Sequence, residues 1–278
     1  MNLSLGVVGL GRMAQAIILP LIQNETIPIE NIFAVVKNDS SIKRLEKSFP
    51  KGLKLATSEN TAAKDLWNSS IILLAVKPQQ LNEVINSVPE KKSTESSTPL
   101  LISVIAGISL STLQKEFPGY VCIRAVPNTP ALVGAGLTGI AWGNNATDRE
   151  RHLTRQVFSP ISEVLELPEA QLDAFLALTS SGPAYIALIA EALADGAVAA
   201  GLSRDLAGYL AHRTIAGTAA LLNNKDLHPG QLKDMVTSPG GTTIAALRKL
   251  EKAGIRSALI EAVLAAAERS KELSNLCD

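Results

Sequence analysis

The amino-terminal stretch at residues 3–14 reads Leu-Ser-Leu-Gly-Val-Val-Gly-Leu-Gly-Arg-Met-Ala, and residues 15–19 continue it with helical spacing. The first six residues have the apolar character of a short strand. In the turn that follows, Gly9 permits a tight bend, Gly11 lets a phosphate approach the backbone and Ala14 lets the helix lie close to the sheet. The stretch therefore predicts a dinucleotide-binding turn, with contacts from Val8, Gly9, Leu10, Gly11, Arg12, Met13 and Ala14.

Later apolar runs predict further strands at residues 32–36, 71–76, 100–104 and 121–126. Glycine and proline follow these strands, and a polar stretch at 86–98 predicts a surface loop. The two prolines at 127–130 predict a turn too rigid to be helical. Strands that alternate with helices indicate a Rossmann-like α/β domain, with a mostly parallel, doubly wound sheet, over residues 1–168.

Residues at the carboxyl ends of these strands are expected to line the nucleotide, since ligands collect at that edge of such sheets. Lys77 allows two interpretations: a catalytic lysine, or a residue whose backbone merely faces the cofactor, and we favour the second. The expected contacts after the third and fourth predicted strands are Ala75, Val76, Lys77, Pro78, Ala106 and Gly107.

The end of the second predicted strand bears on the choice between the two nicotinamide cofactors. A site that prefers NAD usually places a carboxylate there, which accepts a hydrogen bond from the ribose 2′-hydroxyl. Here Lys37 is a cation and Asn38 a neutral donor, which suit a 2′-phosphate better, although Asp39 would argue the other way if it pointed inward. We therefore expect NADP(H) to be preferred, with NAD(H) possible.

The second half of the chain, residues 169–278, is predicted to be an all-α domain. A helix is expected from Ser180-Ser181-Gly182-Pro183, with serine caps, to a terminating Gly201. Its apolar residues occupy nearly the whole circumference, so it must be buried on several sides. So small a domain offers little room for this, and we infer a subunit interface. Glu191 and Asp195 on this helix are expected to meet a partner there rather than to act as a catalytic pair.

Residues 237–243 read Thr-Ser-Pro-Gly-Gly-Thr-Thr and lead into another amphipathic helix. Adjacent glycines let backbone amides point to one place, hydroxyl groups surround them, and the helix adds the positive end of its dipole. Such a turn suits a carboxylate, with a hydroxyl left for a neighbouring atom. The alternative is an ordinary serine or threonine N-cap. The residues concerned are Ser238, Gly240, Gly241, Thr242 and Thr243.

Composition excludes several classes of function for this 278-residue chain. Its 26 basic and 26 acidic residues balance, and 4% of it is aromatic, so nucleic acid and anionic membrane surfaces are not expected partners. The most apolar stretch, residues 184–202, contains two carboxylates and does not read as a membrane span. Two lone cysteines, Cys122 and Cys277, and the absence of a signal-peptide pattern favour the cytoplasm. The three histidines have no metal-ligand spacing, and no metal is expected.

The chain resembles the pyrroline-5-carboxylate reductase family, whose members complete proline biosynthesis with NAD(P)H. The matching segments occur in order along almost the full length, and the last is the most specific. They are residues 9–14, 75–79 (Ala-Val-Lys-Pro-Gln), 124–131 (Arg-Ala-Val-Pro-Asn-Thr-Pro-Ala), 181–185 (Ser-Gly-Pro-Ala-Tyr) and 238–243 (Ser-Pro-Gly-Gly-Thr-Thr).

The resemblance implies that the turn at 238–243 holds the substrate carboxylate through Ser238 and the Gly241 and Thr242 amides. Thr243 would bond the ring nitrogen and orient it for hydride transfer to the C=N carbon. The resemblance also implies that helical domains of two subunits interlock and that Asn60 contacts the cofactor. Together these residues imply that the two distant glycine-bearing bends meet around one cavity.

Two positions depart from the family pattern and bear on how far the resemblance extends. Ser180 stands where the family commonly has glycine, and Met235 stands where some members have a substrate-contacting asparagine. Two other functions stay open: a different NADP-dependent imine or hydroxy-acid reductase of the same build, and a nucleotide sensor without turnover. An intact substrate turn argues against the sensor.

Overall fold

Eight β-strands form one sheet in the computed structural model of the chain, which describes residues 3–89 and 98–275. Their order is β3-β2-β1-β4-β5-β6-β7-β8, and every neighbouring pair is parallel except β6 and β7. The prediction of a mostly parallel sheet is confirmed. The strands are β1 (Leu5–Val8), β2 (Ile32–Val36), β3 (Lys54–Thr57), β4 (Ile71–Leu74), β5 (Leu100–Ser103), β6 (Val121–Pro127), β7 (Gly136–Trp142) and β8 (Ser162–Glu166).

Eleven α-helices are present among the described residues. The first six pack with the sheet or follow it, and the others form the helical part of the chain. They are α1 (Arg12–Gln23), α2 (Asp39–Leu45), α3 (Leu81–Ser87), α4 (Leu110–Glu116), α5 (Asp148–Phe158), α6 (Leu172–Thr179), α7 (Gly182–Ala199), α8 (Arg204–Asn224), α9 (Pro229–Met235), α10 (Thr242–Lys252) and α11 (Ile255–Asn275).

Both faces of the sheet are covered, as a doubly wound fold requires. Successive side chains of a strand point to opposite faces, and the four residues of β4 are all fully buried. Ile71 and Leu73 join the hydrophobic cluster that contains α1. Ile72 and Leu74 join the cluster on the other face, with Trp67 and α4. Each such side chain contributes roughly 1.5–3 kcal/mol when buried, so this sheet carries a core on each side.

The strand order reverses at β1, which has β2 on one side and β4 on the other. Backbone hydrogen bonds tie the three strand ends together: the Gly9 amide donates to Val35 O, and the Ala75 amide donates to Val8 O, both at 2.9 Å. In an open parallel sheet, such a reversal leaves a crevice at the carboxyl ends of the strands. The sequence placed the glycine turn at this crevice, and the fold confirms its position.

Several local predictions were wrong. Residues 127–130 were expected to be too rigid for a helix, yet β6 runs through Pro127 and a 3₁₀ helix occupies Thr129–Val133. Proline fits the first turn of a helix because its missing amide has no partner there in any case. The predicted third strand is shorter than expected and ends at Leu74, and β3, β7 and β8 were not predicted. The loop predicted at 86–98 lies largely outside the described residues, as does Cys277.

The contacts divide the chain into two compact units. The first comprises the residues up to Ser180, together with α11 from Ala266 onward, and the second comprises Ser181–Ala265. The predicted boundary after residue 168 rests on a change in sequence character rather than on contacts, and it stays a prediction.

The second unit is entirely helical, as predicted, and α7 and α8 pack through small residues. Ala194, Ala207 and Ala211 form its buried cluster. The expected termination of α7 at glycine is confirmed, since Gly201 has a φ of +108°. Ser181 is the N-cap of α7 but makes no side-chain capping bond, so the predicted serine cap was wrong in its chemistry. His228 caps α9, since its Nδ1 accepts from the Gly230 amide at 3.1 Å.

Candidate functional site

A cleft of about 690 Å³ opens in the first unit beside the ends of β1, β2 and β4. Nine of the predicted cofactor residues line it. They are Val8, Gly9, Leu10, Gly11, Lys37, Asn60, Ala75, Val76 and Lys77. The sequence thus located the cleft from two glycines and three strand ends.

The glycine turn has the geometry that a phosphate needs. Gly9 has a φ of +86°, and a Cβ atom there would lie 2.8 Å from Val76 Cγ1 and 2.9 Å from Ala75 O, so the position excludes larger residues. Gly11, the N-cap of α1, has no protein atom near its missing Cβ. Open space at Gly11 and the unpaired first amides of a 12-residue helix suit an anion at this point. Ala14 is buried against the sheet, as expected.

The other predicted cofactor residues lie outside the lining of this cleft, and their contacts stay predictions: Arg12, Met13, Ala14, Asn38, Pro78, Ala106 and Gly107. Asn38 is the N-cap of α2, where its Oδ1 accepts from the Ser41 amide at 3.0 Å and from the Ser40 hydroxyl at 2.8 Å. Gly107 has a φ of +74°, and a Cβ atom there would lie 3.2 Å from the backbone of Leu273. Packing against α11 therefore explains this glycine.

Ser41 and Arg44, which were not predicted, line the cleft beyond β2. They follow Lys37 at intervals of four and three residues, and all three line the cleft. The spacing of Ser41 and Arg44 was a usable signal, since both lie in α2 and residues three apart share one face of a helix. Asp39, the carboxylate that would have favoured NAD, is exposed in the first turn of α2 and does not line the cleft.

The ionisable side chains of the cleft favour a polyanionic ligand. Four cations and two carboxylates line it: Lys37, Arg44, Lys64 and Lys77, with Glu59 and Glu83. A cleft lined by an excess of one charge raises the local concentration of ligands of the other sign. The excess of positive charge fits the phosphates of a dinucleotide.

The predicted substrate turn lies in the second unit and is held in shape by its own backbone. Gly240 has a φ of +68°, and the Gly241 amide donates to Ser238 O at 3.0 Å. Gly241 is the N-cap of α10, and no side chain caps that helix. The alternative of an ordinary serine or threonine N-cap was therefore wrong.

The amides at the start of α10 are the donors that this turn offers. The first bond within the helix runs from the Ala245 amide to Gly241 O, so the Thr242 and Thr243 amides have no acceptor in the helix. The Gly241 amide, assigned to a substrate carboxylate, is engaged inside the turn instead. Within the described chain, the hydroxyls of Ser238, Thr242 and Thr243 make no hydrogen bond. The turn presents amides and hydroxyls to a ligand, and Thr243 is half-buried.

A buried ion-pair network, which sequence analysis did not identify, lies in the first unit. The guanidinium of Arg124 on β6 is 5% exposed and lies 3.1 Å from Glu169 Oε1 and 3.6 Å from Asp173 Oδ1. Glu169 also accepts from the Leu110 amide at 2.7 Å, and Asp173 accepts from the Ser270 hydroxyl at 2.7 Å. The network ties α4, α6 and the end of α11 to the sheet.

The remaining thiol, metal-ligating and carboxylate side chains of the described residues do not form a second candidate site. Burial raises the pKa of the Cys122 thiol to about 12, so it stays protonated at neutral pH. No group of three His, Cys, Asp or Glu side chains among residues 3–89 and 98–275 is arranged to hold a metal ion. Asp195 pairs with Arg204 at 2.5 Å within the second unit. That pair does not test the predicted meeting of Glu191 and Asp195 with a partner subunit.

A Rossmann-type sheet with a cationic cleft at its switch point, followed by a helical unit, is the build of a nicotinamide-dependent oxidoreductase. Comparison with known proteins agrees. The family model for pyrroline-5-carboxylate reductase dimerisation matches residues 169–273, and the model "NADP oxidoreductase coenzyme F420-dependent" matches residues 4–107.

Relatives that span the whole chain identify the particular family. Pyrroline-5-carboxylate reductase of Synechocystis is 45% identical over 273 residues, which cover 98% of this chain and 99% of the relative. The Arabidopsis thaliana reductase is 39% identical over 98% of this chain and 96% of its own length. A crystal structure of the Plasmodium falciparum reductase with NADP bound is 30% identical, with a TM-score of 0.85 over 98% of each chain. The chain belongs to the pyrroline-5-carboxylate reductase family.

One segment of the described chain, Glu169–Ala199, is long and apolar enough to cross a membrane by length and composition alone. This is weak evidence, because a helix at a subunit interface has the same length and composition. The dimerisation family model covers the same residues.

Proposed function

We propose that the chain reduces 1-pyrroline-5-carboxylate to L-proline with NADPH, the last step of proline biosynthesis. The turn at residues 238–243 carries this proposal, because it offers unpaired amides and three hydroxyls to a small carboxylate that has a nitrogen beside it. Membership of the pyrroline-5-carboxylate reductase family supports the same reaction.

The cleft of the first unit would hold the cofactor. The pyrophosphate fits the open space at Gly11, next to the amides that begin α1. Lys37, Ser41 and Arg44 line the cleft beyond β2, where the adenosine ribose lies in folds of this kind. An arginine and a lysine pair well with a 2′-phosphate, which supports NADPH over NADH. The NADP-bound structure of the Plasmodium falciparum relative agrees.

The turn of the second unit would hold the substrate. The Ser238 hydroxyl and the Thr242 amide donate to the carboxylate in this proposal, and the positive end of the α10 dipole favours its charge. Gly240 is required for the bend, because its φ of +68° lies in the left-handed region. The Gly241 amide contributes only if its bond to Ser238 O opens.

Orientation is the contribution of the protein to the chemistry. When bound, the nicotinamide supplies a hydride to the carbon of the C=N bond. The Thr243 hydroxyl holds the ring nitrogen in place, and the carboxylate contacts fix the distance of the ring. A threonine hydroxyl is a poor acid, so the proton on nitrogen arrives with the substrate or through water. Holding two reactants in a reactive geometry can supply about 7–11 kcal/mol of the barrier.

The second unit would form the dimer, and larger assemblies would be built from dimers. Exposed leucines and a tyrosine on its helices support this proposal, as does the match to the dimerisation family model. The proposed location is the cytoplasm.

A direct assay tests the proposed reaction. The purified chain is incubated with NADPH and 1-pyrroline-5-carboxylate, nicotinamide absorbance is followed, and proline is measured as product. We expect stoichiometric loss of NADPH and gain of proline. Oxidation of NADPH with a 2-keto acid but not with the imine would indicate a different reductase. NADPH binding without turnover on either substrate would indicate a nucleotide sensor.

A further inference from the structure

Asn128, outside the residues assigned above, makes two hydrogen bonds with its buried side-chain amide. It follows β6 and is 4% exposed. Its Oδ1 accepts from the Leu137 amide on β7 at 2.9 Å, and its Nδ2 donates to Thr179 O at 3.0 Å. Asn128 begins the 3₁₀ helix Thr129–Val133 but does not cap it with its side chain. The side chain is therefore committed to contacts distant in sequence.

The two contacts of Asn128 join the ligand-binding edge of the sheet to the end of the helix that precedes the second unit. Because β4, β5 and β6 are parallel, Asn128 lies at the same edge of the sheet as Ala75 and the cofactor cleft. Thr179 is the last residue of α6, and the carbonyls at a helix end lack partners within the helix. The second unit begins two residues later, at Ser181.

We propose that Asn128 is a positioning residue for the reduction, an inference that rests on the proposed function. Its Nδ2 fixes the end of α6 to the ligand-binding edge of the sheet. It thereby fixes the point from which the chain continues into the unit that carries the 238–243 turn. In this proposal Asn128 acts through the path of the chain, and no contact with cofactor or substrate is assigned to it. Its loss should impair turnover and leave NADPH affinity intact.

The position of Asn128 requires a side chain that both accepts and donates a hydrogen bond. One planar group must accept from Leu137 and donate to Thr179, and asparagine offers both an acceptor and a donor. An ionised aspartate accepts only, so Asn128→Asp keeps the size, loses the donor and places a negative charge against a carbonyl. Ser180 adds a hydroxyl bond to Pro127 O at 3.3 Å, which is too long to replace the lost contact.

The test compares Asn128→Asp with Asn145→Asp, a matched control that adds the same charge at an exposed position. We expect kcat for Asn128→Asp to fall at least about tenfold, while the dissociation constant of NADPH stays within about twofold of wild type. The control Asn145→Asp should match wild type in kcat and in the dissociation constant of NADPH. A protonated carboxyl group regains a donor, so kcat relative to wild type should recover as the pH falls from about 8 to about 6.

Two results would overturn the inference: an unchanged kcat in Asn128→Asp, or a parallel loss of kcat and NADPH affinity, which marks a general structural role. If the aspartate variant does not fold, Asn128→Ser removes the contact to Thr179 without adding charge, and the same two readouts decide. A wild-type chain that fails to reduce the imine contradicts the proposed function and this inference together. If the wild type reduces the imine and the kcat of Asn128→Asp is unchanged, only the inference about Asn128 is contradicted.

Discussion

The first unit buries most of its large apolar side chains within one chain, whereas the second unit leaves many of its large ones exposed. Ile72 and Leu73 of the sheet are fully buried, while Leu188 of α7 is 67% exposed and Tyr209 of α8 is 61% exposed. Within Ser181–Ala265, all of which the structure describes, the buried side chains are four alanines: Ala190, Ala194, Ala207 and Ala211.

This difference in burial suits the first unit to cofactor binding by a single chain and the second unit to assembly. The first unit has a core on both faces of its sheet, and its cleft is complete within one chain. The second unit gains little from four small side chains, because burying apolar surface contributes about 25 cal/mol for each Å². The proposed dimer would cover its exposed leucines with a second copy of the chain. We therefore expect cofactor binding to be a property of one chain, and stability of the helical unit to depend on the dimer.

The largest expected effect is on assembly. In Leu188→Asp, a charge replaces an apolar side chain that is 67% exposed in the single chain and that the proposed dimer would bury. Burying an unpaired charge costs several kcal/mol. We expect the dimer dissociation constant to rise at least about 100-fold, measured by sedimentation at micromolar concentration. Asn145→Asp, with the same charge on the first unit, should leave the assembly unchanged. A dimer of wild-type strength in Leu188→Asp would show that α7 is not at the interface.

The next effect is on stability, and it compares the loss of one ion pair in each unit. Arg124→Met leaves Glu169 and Asp173 without their buried cation, and we expect it to cost about 3 kcal/mol of unfolding free energy. Arg204→Met removes an exposed pair with Asp195 and should cost less than about 1 kcal/mol. Thermal unfolding of both variants measures the difference. Equal costs would mean that burial does not distinguish the two pairs.

Substituting one glycine of positive φ in each unit distinguishes an effect on the cofactor site from an effect on the helical unit. Gly9→Ala forces a residue with a Cβ into a left-handed conformation and against Val76, a strain of about 1–3 kcal/mol. We expect NADPH affinity to fall about 10-fold to 100-fold. Gly201→Ala imposes the same backbone strain in the second unit and should lower stability without changing NADPH affinity. Fluorescence titration with NADPH decides, and equal affinities in the two variants would count against the assigned turn.

The smallest effect concerns cofactor preference. Arg44→Ala removes a cation from the cleft lining, and we expect the ratio of kcat/KM for NADPH over NADH to fall about tenfold, since a charge-assisted bond contributes roughly 1.5–3 kcal/mol. Lys37→Ala should act in the same direction. Lys43→Ala, on the same helix but outside the cleft lining, is the control. A ratio unchanged in Arg44→Ala would place the 2′-phosphate elsewhere.

Sequence patterns located the parts of this fold that local chemistry determines. These parts are the glycine turn at residues 9–14, the apolar strands at 32–36 and 100–103, and the glycine bend at 238–243. Gly9 and Gly240 adopt positive φ, and glycine is the residue that does so at little cost.

Elements that tertiary contacts determine were missed. β7 contains Gly136 and Gly139, and a Cβ atom at Gly139 would lie 2.8 Å from Phe175, so packing against α6 rather than strand propensity explains that residue. β8 is a short edge strand with two glutamates. The network of Arg124 joins residues up to 97 positions apart in the sequence, a distance at which no local pattern appears.

The central claim is that the two units divide the reaction, with NADPH held by the first and the substrate turn supplied by the second. Thr243→Val, which removes one hydroxyl and keeps the shape, tests it most directly. We expect kcat to fall about 100-fold or more, as when a single positioned donor is lost, with NADPH affinity unchanged. Thr237→Val, whose hydroxyl donates to Lys233 O within the helical unit, should keep its kcat within about threefold of wild type. An undiminished kcat in Thr243→Val, or a loss of NADPH binding with it, would contradict the account.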